Sequence, residues 1–73
     1  MSEFYYITVT HDDIKFYYEP SLNSWYPESS IEYLEEFVVP HQTVEIFKRC
    51  AKEMWGNAEN QLIVEPLSPH QYS

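Results

Sequence analysis

One glycine, one cysteine and four basic residues are all that this 73-residue chain holds of three chemically useful kinds. With Gly56 alone, no glycine-rich loop can wrap a phosphate, which removes nucleotide-dependent activities built on such loops. Cys50 has no partner for an internal disulfide, and no apolar run approaches the roughly 18 residues of a membrane span or the flanking pattern of a signal peptide. A reducing cytoplasm is the expected home. Four Lys and Arg stand against twelve Asp and Glu, for a net charge of −8. Proteins that bind phosphate draw affinity from lysine and arginine, so direct binding to DNA, RNA or an anionic membrane is not expected. Basic proteins, or proteins with a basic groove, are the expected partners.

The chain is rich in core formers. It is 44% hydrophobic and 18% aromatic, with seven tyrosines, far from the composition of a disordered acidic tail. At this size the chain is expected to form one domain over residues 1–73, with most large side chains recruited into its core and no cavity for a large substrate.

Phe4 to Thr10 alternates Tyr5, Ile7 and Val9 against Tyr6, Thr8 and Thr10, the period of a half-buried strand. His11-Asp12-Asp13 supplies turn chemistry, and Ile14 to Tyr18 resumes the alternation, which predicts an antiparallel hairpin. Residues 19–28, with Pro20, Ser21, Asn23, Ser24 and Pro27, read as a loop in which Trp25 and Tyr26 fold back over a core edge. Ser29 followed by Glu32 has the form of a capping box, and Ile31, Leu34 and Val38 share a helical face, so a first helix is expected from 29 or 30 until Pro40 stops it. Thr43 can cap a second helix with Val44, Phe47, Ala51, Met54 and Trp55 as its apolar stripe and Gly56-Asn57 as its stop. Leu62, Ile63 and Val64 form a short strand within 61–67 that Pro66 ends or confines to an edge, and a polar tail follows from about 68 to 73. The expected fold is α+β: a small three-stranded antiparallel sheet with both helices on one face, in the order ββααβ.

The acids are unevenly placed. Residues 1–36 hold eight of them against Lys15 alone, whereas residues 37–73 hold four against Lys48, Arg49 and Lys52. Glu28, Glu32, Glu35 and Glu36 fall at helical spacing, so at about 100° per residue they form one stripe on the expected first helix. Such a stripe attracts basic surfaces by its field, most strongly at low salt. That helix bears like-charge repulsion at Glu28/Glu32 and Glu32/Glu36, whereas Glu45 precedes Arg49 on the second helix in the favourable orientation for an ion pair.

Catalysis has little to work with. Paired carboxylates act as acid and base in clefts that separate their pKa values, and these lie on an exposed helix face. His11-Asp12-Asp13 is a run of adjacent turn residues rather than a converging ligand set, and His41 and His70 lack ligand spacing, so no metal is expected. Cys50 has basic neighbours but no evident base or orienting group; it is expected to be buried and inert. No cofactor is called for. Phe4, Tyr6 and Tyr17 would lie on the sheet face opposite Tyr5 and Phe16; left uncovered, that aromatic face is a second candidate contact surface, for a copy of the chain or another protein, and the alternative is a face covered by the loop with Trp25 and Tyr26.

The run Glu35-Glu36-Phe37-Val38-Val39-Pro40 followed by Val44-Glu45, taken with the element order, size and acidity, resembles small phage anti-CRISPR proteins that inhibit type I-F surveillance complexes. The resemblance implies a ββααβ fold and a DNA mimic whose carboxylates occupy a lysine- and arginine-lined site. By position it implies roles as phosphate surrogates for Asp13, Glu32, Glu35 and Glu36. A helix rises about 6 Å over four residues, near the axial spacing of two phosphates on a duplex strand. The partner-binding set expected from the sequence is therefore Asp12, Asp13, Glu28, Glu32, Glu35 and Glu36, on a non-enzymatic inhibitor of a basic nucleic-acid-binding site. The alternatives are an interaction module that docks through the aromatic sheet face, an antitoxin, or an inhibitor of RNA polymerase.

Overall fold

Asp12 and Asp13 both take positive φ, 53° and 63°, as the two central residues of a type I′ hairpin require. Asparagine, aspartate and glycine tolerate this region best, and a chain almost without glycine uses two aspartates. In the computed structural model, which describes residues 3–55 and 62–67, this turn joins β1 (Phe4–His11) to β2 (Ile14–Glu19). The strands pair antiparallel with Thr8 opposite Tyr17 and His11 opposite Ile14.

A second hairpin follows. The chain turns through 20–23, with Asn23 at φ 52°, into β3 (Ser24–Pro27), where Tyr17 faces Tyr26 and Tyr18 faces Trp25. The Tyr18 hydroxyl donates to Asn23 Oδ1 and fixes the turn to the strand it leaves. Two further strands complete the sheet: β4 (Val39–Pro40) pairs with Phe4 and Tyr5, and β5 (Ile63–Pro66) pairs with Tyr5 to Thr8. Tyr5 lies opposite both Val39 and Pro66, and Thr8 opposite both Tyr17 and Ile63. A strand has two edges, so β5 runs along one edge of β1 while β2 and β4 share the other.

Both sheet faces are covered, which is why Tyr6, Ile7, Thr8 and Val9 are buried in succession instead of alternately. On one face Ile7, Tyr18 and Val39 pack with Ala51, supported by Trp25, Val44, Phe47, Cys50 and Leu62. The helix that supplies this layer is α1 (Val44–Trp55), entered through a 3-10 turn at His41–Thr43. Thr43 does not cap it as expected; its hydroxyl donates back to the Pro40 carbonyl at 3.0 Å. Trp25 donates its indole N–H to the Ala51 carbonyl at 3.1 Å, and Trp55 meets Phe16 and Trp25 edge to face, each with ring centroids 5.2 Å apart.

On the other face Tyr6, Tyr17, Phe37 and Leu67 form a separate cluster with Phe4, Tyr26, Ile31, Leu34 and Val38 against it. The covering layer is the segment 28–38, and it is not an α-helix. It consists of two 3-10 turns, Glu28–Ser30 and Leu34–Phe37, with Ile31, Tyr33 and Val38 extended around them. β4 then carries the chain past the sheet edge to the helical layer.

The expected fold is thus corrected in three respects. The sheet has five strands rather than three, and α1 is the one α-helix among the described residues. The two covering layers lie on opposite faces. The first expected helix fails for a physical reason: a stretch of some ten residues is too short to nucleate alone, and its glutamates repel at i, i+4 with no lysine or arginine to offset them. An extended chain also covers more sheet, at about 3.3 Å per residue against 1.5 Å in a helix. The Gly56-Asn57 stop, His70 and the polar tail from 68 lie outside the described residues.

Candidate functional site

All six acids expected to bind a partner are exposed, but not as one helical stripe. Asp12 and Asp13 sit at the tip of the first hairpin, where His11 Nε2 lies 3.4 Å from Asp12. Glu28, Glu32, Glu35 and Glu36 are strung along the 3-10 and extended layer. The phosphate spacing that rests on an α-helical rise therefore does not apply to them.

Charge is separated across the sheet. Segment 28–36 carries four glutamates and no basic residue, whereas α1 carries Lys48, Arg49 and Lys52, all exposed, beside Glu45 and Glu53. The fourth basic residue, Lys15, lies on the acidic side and is already engaged. Its Nζ is 2.8 Å from Glu65 Oε2, which also accepts from the Thr8 hydroxyl at 3.2 Å, and 5.1 Å from the centroid of the Tyr17 ring. Tyr17 in turn donates to Glu28 Oε2 at 3.2 Å. Burial pulls the Lys15 ammonium down, but its bonds to Glu65 and Tyr17 outweigh that and hold it above its ordinary value. Burial pushes the Tyr17 phenol up; Lys15 opposes the rise and Glu28 adds to it. Burial likewise raises Tyr18, helped by Cys50 and by the charge of Glu19.

The expected second surface is closed. Tyr6 and Tyr17 are only 5% and 4% exposed beneath segment 28–38, and Phe4 packs against the same cluster. The rings that alternation places on an open sheet face have the glutamate-bearing segment laid over them. Cys50 is half-buried against the α1 core rather than fully buried.

One groove opens on the acidic side. It has a volume of about 250 Å³ and is lined by Glu19, Leu22, Tyr26, Ser30, Ile31, Glu32, Tyr33, Glu36 and Phe37. The structure thereby brings together two of the expected acids, Glu32 and Glu36, with one that the sequence reading missed, Glu19. Asp12, Asp13, Glu28 and Glu35 do not line it. Glu19 was hidden because it stands just before Pro20 and reads as the start of a loop. The period that puts Lys15 and Tyr17 on one face, continued one step, would have placed it there too.

Among the described residues no cluster of three or more His, Cys, Asp or Glu could hold a metal ion, and no helix is long and apolar enough to cross a membrane. Compared with protein-family models, with curated proteins and with solved structures, the chain has no significant match in any of the three.

Proposed function

We propose that this protein is a non-enzymatic, cytoplasmic binding protein whose acidic layer occupies a basic, nucleic-acid-binding surface on a larger protein and so excludes nucleic acid from it. The observation that carries this reading is the separation of charge by the sheet. Four exposed glutamates lie on one side without a basic neighbour in their segment, and the free lysines and arginine lie on the helix across the sheet. A field of that form orients the molecule as it approaches a positive surface and speeds association. Asp12 and Asp13 add two exposed carboxylates at the hairpin tip. The surveillance complexes implied by the resemblance to anti-CRISPR proteins are the first targets to test. Docking through an aromatic sheet face is not favoured, since Tyr6 and Tyr17 are buried.

The test is capture and competition. Immobilised protein should retain basic nucleic-acid-binding proteins from a cytoplasmic lysate at low salt, and short duplex DNA should release them. A retained partner that duplex DNA does not displace, at any salt concentration, would overturn the reading.

A further inference from the structure

Glu19 ends β2 and is only 6% exposed, yet it lines the groove on the acidic side. Its Oε1 accepts from the Ser21 amide at 2.7 Å and the Ser21 hydroxyl at 2.8 Å. Neither these bonds nor either ion pair among the described residues engages its second oxygen. A carboxylate offers about four acceptor sites, and a buried one without a counter-charge is costly to maintain. No lysine, arginine or histidine lines the groove. A cation entering the groove would meet a carboxyl oxygen that no lining residue engages.

The walls say what kind of cation fits. Tyr26 and Phe37 stand edge to face with centroids 5.7 Å apart, Glu32 and Glu36 are exposed on the 3-10 and extended segment, and Leu22 and Tyr33 are 61% and 55% exposed. Aromatic and aliphatic walls around a carboxylate suit a weakly hydrated, planar cation with an apolar stem, which can stack on a ring while forking onto the acid. A lysine ammonium, compact and strongly hydrated, gains less from such walls. The volume, about 250 Å³, falls below the ~300–1,000 Å³ of small-molecule sites and suits one long side chain. We propose that this groove receives a single arginine side chain of the basic partner, its guanidinium against Glu19 and its stem along Leu22 and Ile31. The proposal rests on the acidic-inhibitor reading above and adds to it an anchor that a purely electrostatic mimic does not need.

The probes are hexa-arginine and hexa-lysine, titrated at physiological ionic strength into the labelled full-length protein and followed by NMR. Hexa-arginine should bind about tenfold more tightly than hexa-lysine and should move the Ser21 amide and the Tyr26 and Phe37 ring signals. Glu19→Gln keeps an acceptor oxygen for Ser21, and should weaken hexa-arginine binding about tenfold. If Glu19→Gln fails to fold, Glu32→Gln with Glu36→Gln, at exposed positions, should weaken it by a similar factor. Equal binding of the two peptides, or affinity unchanged in these variants, would overturn the groove assignment. Loss confined to Asp12→Asn with Asp13→Asn, or to Glu28→Gln with Glu35→Gln, would overturn it while leaving the acidic inhibitor standing. No binding of either peptide at low salt would remove both.

Discussion

Tyr17 donates its phenolic hydrogen to Glu28 Oε2 at 3.2 Å, tying the first turn of the acidic segment to the central hairpin it covers. The acids are therefore not appended to a finished fold. Ile31, Leu34, Phe37 and Val38, interspersed with them, close one of its two cores. Tyr17→Phe should cost about 1 kcal/mol, the worth of a typical hydrogen bond, with faster amide exchange over 28–31 and little change on α1. Chemical denaturation and hydrogen exchange check this; uniform acceleration across the chain would argue against a local tether.

Phe37 is the residue of the acidic layer that reaches deepest, meeting Tyr17 and Tyr26 edge to face. Phe37→Ala should destabilise by about 3–5 kcal/mol, a large share of the ~5–15 kcal/mol expected for a domain. A melting temperature close to that of the wild type would mean that segment 28–38 does not contribute to the core.

The sheet should fail at alkaline pH. Tyr17 and Tyr18 are held above their ordinary 10.0, and Lys15 above its 10.5. Each group keeps its proton in the folded chain after the unfolded chain has lost it. The stability they contribute is complete below pH 10 and falls as pH rises through their folded values. Tyrosinate absorbance, followed with near-ultraviolet dichroism, should record late-titrating tyrosines whose ionisation coincides with loss of tertiary signal. Titration of all seven tyrosines near 10 with the fold intact would contradict this.

What could be read from the sequence divides along physical lines. The first hairpin was legible because its alternation and its Asp-Asp turn agree, and the fifth strand because β-branched residues precede Pro66. β3 was not, because Pro20, Ser24 and Pro27 carry turn signals that outweigh the β preference of only two residues, Trp25 and Tyr26. The segment 28–38 was misread as a helix because Ile31, Leu34 and Val38 fit a helical face as well as they fit an irregular strap. Its choice was made by the aromatic sheet face that it had to cover, which is tertiary information. The exposed acids were identifiable as residues; the groove that gathers Glu19 with Glu32 and Glu36 was not, because it depends on that strap.

Charge placement, rather than total charge, should govern binding, and two matched reversals separate them. Glu32→Lys with Glu36→Lys changes the acidic layer, and Glu45→Lys with Glu53→Lys changes α1; all four residues are exposed, and each pair shifts net charge by the same amount. Affinity for a partner that duplex DNA displaces should be measured for both pairs across a salt series. The first pair should weaken binding more than tenfold at low salt and flatten its salt dependence, while the second should leave both nearly unchanged. Equal losses from the two pairs would contradict the account, since they would make the interaction a matter of net charge with no binding face.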